Sequence, residues 1–107
     1  MIDEEEVLSM VKAVSAAQLR IWVKEEWVKP TGNDAGLVFH DADVARVRLV
    51  NMLYNELEVG GEAMPIILSL IDQFHDLREQ MRIIIEAIDT QPPEIRSKLL
   101  EAARKDQ

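Results

Sequence analysis

The stretch LRIWVKEEWVKP, Leu19 to Pro30, decides how the chain is read. It holds both tryptophans of a chain with only two phenylalanines and one tyrosine besides. They stand five residues apart, with cations and carboxylates alternating between them and a proline closing the run. Leu19, Trp22 and Val23 share one face of a helix, and the run ends in strand and turn chemistry. Read outward from there, the stretch is a helix leading into a β-hairpin.

Upstream, Ser15 followed by Gln18 is a capping box, so a helix starts at Ser15 and runs to about Glu26. Before it, Asp3 can cap a first helix, with Glu4, Glu5 and Glu6 near its positive end. Val7, Leu8, Val11 and Val14 form that helix's apolar stripe. The short gap from Lys12 to Ser15 makes a tight turn between the two helices. Downstream, Lys29-Pro30-Thr31-Gly32-Asn33-Asp34-Ala35-Gly36 is turn chemistry flanked by Trp27-Val28 and Leu37-Val38-Phe39, which suits a small hairpin.

A third helix starts at His40 or Asp41, with Asp41 the better cap. It buries Val44, Val47, Val50, Leu53 or Tyr54, and Leu57. Gly60-Gly61 ends it. A long helix follows from about Glu62 to Ile88, with Pro65 in its first turn. Its apolar residues repeat as heptads: Ile67, Phe74, Met81 and Ile88 at one position, Leu70, Leu77 and Ile84 at the other. Ile66, Ile71, Ile83 and Ile85 widen the stripe. Asp89-Thr90-Gln91-Pro92-Pro93 breaks the chain. A last amphipathic helix from Glu94 to about Lys105 presents Ile95, Leu99 and Ala103.

The length of 107 residues fits one domain with a real core. Two parts are expected within it: residues 1–61, and residues 62–107 as one structural unit with the first. The absence of cysteine excludes disulfides and thiolate metal sites and fits a reducing cytoplasm. The opening MIDEEEVLSM is acidic where a signal peptide would be basic and then apolar. No apolar run approaches the roughly 20 residues that span a bilayer. The net charge of −8 argues against a phosphate backbone as partner and for a basic protein surface.

The order of elements and the residues Ser15, Leu19-Arg20-Ile21-Trp22, Trp27-Val28 and Pro30 resemble the MerR family. That family reads Ser, then Leu-Arg-aromatic-aromatic, then an apolar pair and a proline. The resemblance implies a mainly α fold, a winged helix-turn-helix with a small β-hairpin wing, then a long heptad helix and a short C-terminal helix. From about Val14 to Ile88 the chain resembles more closely the chaperone modulator family CbpM. Val38-Phe39, Asn55-Glu56-Leu57, Leu70-Ile71-Asp72 and His75-Asp76-Leu77 carry that likeness. It implies a non-enzymatic adaptor that binds the J-domain of a CbpA-like co-chaperone and restrains its action on DnaK. The alternative is a MerR-type DNA-binding regulator. A third reading is a helical scaffold that only dimerises. DNA-reading MerR domains follow the wing glycine with tyrosine and arginine. Here Gly36 precedes Leu37 and Val38, which cannot pair with phosphate.

The groups that could contact DNA are Gln18, Arg20, Lys24 and Lys29, with Glu25 and Glu26 beside them to repel phosphate. Arg20 has structural uses as well, laid over Trp22 or Trp27 or paired with a carboxylate. Trp22 is expected in the core. Trp27 is expected on the wing strand and partly exposed. Ile21 points away from the buried face, as an interface anchor or an ordinary surface residue. Asp72, Asp76 and Glu79 share an exposed face of the long helix, readable as a docking strip for a basic helix or as a solvated face. The partner-binding set is thus Ile21, Glu25, Glu26, Trp27, Asp72, Asp76 and Glu79. No catalytic motif, cofactor or metal site is expected.

The heptad seam is longer than one small domain covers. Its first half, to about Phe74, is expected to pack on the preceding helices. A homodimer would cover the rest through Leu77, Met81, Ile84, Ile85 and Ile88. Locally, Gln91-Pro92-Pro93 could instead reverse the chain and lay Ile95, Leu99 and Ala103 over that stripe.

Overall fold

A computed structural model describes residues 1–33 and 36–105. The chain is mainly helical, with one small antiparallel hairpin and one long helix. It divides into two compact units, residues 1–68 and 69–107. The division falls at Leu68–Ser69, inside the long helix, rather than at the Gly60-Gly61 pair.

In the first unit, α1 spans Glu4–Met10. The Asp3 carboxylate accepts from the Glu6 N–H at 2.8 Å, and the Glu6 side chain accepts from Asp3. α2 spans Ala16–Lys24, and Ser15 with Gln18 forms the reciprocal box that the sequence predicts. The Arg20 guanidinium pairs with Glu4 at 3.2 Å and so ties α2 to α1, the carboxylate alternative for that side chain.

α2 stops two residues earlier than predicted, in a Schellman motif. Glu26 stands at the αL position with φ of 62°. Its N–H donates to the Val23 carbonyl at 3.1 Å, and the Trp27 N–H donates to the Trp22 carbonyl at 2.9 Å. This explains the five-residue tryptophan spacing, because the motif's six-to-one hydrogen bond joins those two residues and its apolar pair sits at the same positions. The placement of Trp27 on a strand is thereby corrected: Trp27 and Val28 belong to the helix end, and both are buried.

The hairpin is smaller than expected, with β1 at Thr31–Asn33 and β2 at Gly36–Val38. Thr31 pairs with Val38 and Gly32 with Leu37. Asp34 and Ala35, expected from sequence as part of the turn, lie outside the described residues. Phe39 leaves β2 to pair with Ile2 instead, through hydrogen bonds of 2.8 and 3.1 Å.

α3 spans Asp41–Asn51, with His40 rather than Asp41 as its cap. The Asp43 carboxylate accepts from the His40 N–H at 2.8 Å, so the third helical residue secures the start and Asp41 falls inside the first turn. The helix then widens into a π-helical stretch, Met52–Glu56. The α phase extrapolated from Val44, Val47 and Val50 ends there. Leu53 is buried, while Tyr54 and Leu57 are exposed, which corrects the expectation for Leu57.

α4 spans Met64–Asp89, and only Met64 and Leu68 along it are buried. The core of the first unit gathers Val7, Leu19, Trp22, Val28, Phe39, Val47, Val50 and Met64, all essentially inaccessible. Leu70 and Phe74 are exposed, so burial of the seam ends at Leu68 and not at Phe74 as expected.

The second unit holds the rest of α4 and α5, Pro93–Lys105. The local reversal of α5 onto the stripe, the alternative to a dimer, does not occur. Met81, Ile84, Ile95 and Leu99 all remain exposed. Among the described residues, no helix is long and apolar enough to cross a membrane.

Candidate functional site

The C-terminal end of α2 borders a polar-edged cleft in the first unit, with a volume of about 410 Å³. Its floor is aromatic. Trp22 meets Tyr54 edge-on at 6.1 Å between ring centres, and Trp27 lies tilted against the same ring at 6.3 Å. Both tryptophans are buried, so the accessible aromatic surface is that of Tyr54. Gly61 passes over Trp27, where an added Cβ would lie 3.8 Å from the indole carbons Cη2 and Cζ2.

The rim carries Ile21, 55% exposed, and the carboxylates of Glu25 and Glu62. Gln18 closes one edge. Its amide donates to Asn55 at 3.1 Å, and Asn55 donates in turn to Asn51 at 2.6 Å. That chain of amides joins α2 to the end of α3 next to Tyr54, whose ring lies against both tryptophans. The π-helical stretch therefore has a positional role, as such stretches often have near functional surfaces.

Three of the sequence-derived partner residues, Ile21, Glu25 and Trp27, line this cleft. Trp27 does so as a buried floor residue and not as the partly exposed side chain expected. Glu26 is exposed beside it, at the αL position. Sequence reasoning missed Tyr54, Gly61 and Glu62. The glycine pair was the available signal, since a break marked by two glycines suits a close passage over a bulky ring.

Asp72, Asp76 and Glu79 are exposed on α4 in the second unit. They are not a bare acidic strip. Arg82 donates to Glu79 through two nitrogens and reaches Glu86 as well. Hydrogen bonding from Arg82, then its charge, holds the Glu79 carboxyl below the usual carboxylate range and raises Arg82 in turn. Arg78 lies over the Phe74 ring, 5.9 Å from its centre. Leu77, Met81, Ile84 and Ile85 are exposed and Ile88 is half-buried. Among the described residues, no three His, Asp or Glu side chains gather as a metal site.

No protein-family model, curated protein or solved structure matches this chain.

Proposed function

We propose that the chain is a non-enzymatic, cytoplasmic adaptor of the CbpM type. In this reading the first unit is a MerR-like winged helix-turn-helix turned from DNA to protein. The partner is the J-domain of a CbpA-like co-chaperone, and occupancy of its basic helix restrains stimulation of DnaK. The observation that carries this reading is the cleft at the end of α2. An apolar rim residue, an aromatic floor and two carboxylates form a receptor for a lysine or arginine side chain. The aliphatic stem would lie on Ile21 and Tyr54, and the charged head would meet Glu25 and Glu62.

Three further features weigh against the MerR-type regulator. Arg20 is held by Glu4, and Gln18 by Asn55, which removes two of the four groups that could enter a groove. Leu37 and Val38 occupy the positions from which a wing would meet phosphate. The net charge is −8.

The test is titration of the chain with an isolated J-domain at several salt concentrations. Exposed ion pairs are each worth only about 0–1 kcal/mol, so the carboxylates are reversed together, as Glu25→Lys with Glu62→Lys. The double variant and Ile21→Glu should both weaken binding. Wild-type affinity should fall as salt rises, and duplex DNA should not bind. A salt-sensitive, sequence-dependent complex with DNA, or a J-domain complex indifferent to both variants, would overturn the reading.

A further inference from the structure

We infer that the cleft at the end of α2 selects arginine over lysine, with the guanidinium lying flat on the Tyr54 ring and donating to Glu25 and Glu62. The inference rests on this cleft being the docking surface proposed above, and not on which protein brings the arginine.

The first observation is that these two carboxylates are free. Glu4, Glu79 and Glu86 are each taken by an arginine of this chain. Among the described residues, neither Glu25 nor Glu62 has a cationic partner. Both charged side chains that line the cleft are therefore unneutralised acids beside an aromatic ring. A cation entering there meets two unpaired charges. At about 410 Å³ the cleft lies near the lower end of the roughly 300–1,000 Å³ of small-ligand sites, which suits one side chain.

The second observation is the form of the aromatic surface. Tyr54 is 41% exposed, while Trp22 and Trp27 are 1% and 8% exposed. The tryptophans support Tyr54, one edge-on and one tilted, and leave a single ring facing solvent. A quaternary or methylated ammonium is held by a cage of several open ring faces. One open ring flanked by carboxylates suits a planar cation that stacks and donates from its edges. Guanidinium is that cation: it carries five N–H donors in one plane and sheds water more readily than an ammonium. Stacked on Tyr54, it directs those donors sideways, to Glu25 at the end of α2 and to Glu62 beside Gly61. Its aliphatic stem lies on Ile21 and the edge of the ring. The lysine ammonium is a compact, strongly hydrated point charge that gains less from a flat ring.

The test uses the whole chain and four capped pentapeptides. Each has one central residue between alanines: arginine, lysine, citrulline or asymmetric dimethylarginine. Both tryptophans of the chain line the cleft, so their two indole N–H signals report its occupancy by NMR. The arginine peptide should bind roughly two- to fivefold more tightly than the lysine peptide, the range for a cation on an exposed ring. Citrulline, planar but uncharged, should give no saturating shift. Dimethylarginine keeps the charge but loses donors, and it should fall to the level of lysine. Glu25→Gln and Glu62→Gln should each weaken the arginine complex. Tyr54→Leu should bring arginine down to lysine's level, and Tyr54→Phe should restore the preference. Equal binding of arginine and lysine by wild type would overturn the assignment and leave the adaptor reading standing. Dimethylarginine bound as tightly as arginine would overturn donation to the two carboxylates. No indole shift with any peptide would overturn the assignment together with the use of this cleft. A J-domain that fails to bind while the arginine peptide does would sink the adaptor reading alone.

Discussion

Replacing Glu26 by glycine should make the first unit more stable, although it removes a charged residue from the end of α2. The backbone sets the expectation. Glu26 sits at φ 62°, at the position of the Schellman motif that glycine usually fills. For a residue with a Cβ that conformation costs roughly 1–2 kcal/mol. Glycine returns roughly 0.5–1 kcal/mol of this through its greater freedom in the unfolded chain. The net gain is therefore about 0.5–1 kcal/mol, or roughly 2–8 °C in melting temperature for a unit of this size. Fluorescence is a clean assay, because both tryptophans, Trp22 and Trp27, are buried in the first unit and flank the motif. Glu26→Ala is the control: it removes the same carboxylate and keeps the Cβ. Glu26→Gly should melt above both wild type and Glu26→Ala. Equal melting of the two variants would refute the backbone argument and assign any change to charge alone.

Gly32→Ala should unfold the hairpin, because φ is 104° there and a Cβ would run into the Gly36 carbonyl oxygen. Proteolysis within residues 29–39 is the measurement, and cleavage no faster than wild type would refute it. Acidification should loosen the second unit through Glu79. Its carboxyl pKa is depressed in the folded helix by Arg82, so the contribution is present above the ordinary carboxylate pKa and is lost as pH falls through the depressed value. Helicity followed by circular dichroism from neutral to acid pH should fall over that window in wild type and less in Glu79→Gln.

Much of the fold was legible because it rests on local chemistry. Asp3 with Glu6 and Ser15 with Gln18 announce two helix starts, and the structure uses both. Val44, Val47 and Val50 name the buried face of α3 by spacing alone. What escaped depends on backbone states that spacing does not encode. Nothing in EEW marks Glu26 as left-handed, since glutamate is a poor choice there, and so Trp27 read as a strand residue. Nothing in NMLYNEL marks a π turn, so Leu57 read as buried. Of the candidate site, Ile21 was visible from the amphipathicity of α2, Glu25 from its charge, and Trp27 only through its expected place on the wing strand. Tyr54, Gly61 and Glu62 were not, because they arrive from segments more than 25 residues along the chain, through contacts no local pattern records.

The pairing of Ile2 with Phe39 makes the first residues of the chain part of the framework. Phe39 is wholly buried, and Ile2 serves both its backbone donor and its acceptor. Trimming Met1 and Ile2 would leave two polar groups in the interior with no partner, at a cost of about 1–3 kcal/mol each. An exopeptidase that removed only these two residues would thus strike the junction between hairpin and third helix, more than 35 positions along the sequence from the cut. A fusion joined directly to Met1 begins from a hydrogen-bonded strand rather than a free tail, and a flexible spacer between them would leave that strand its alignment.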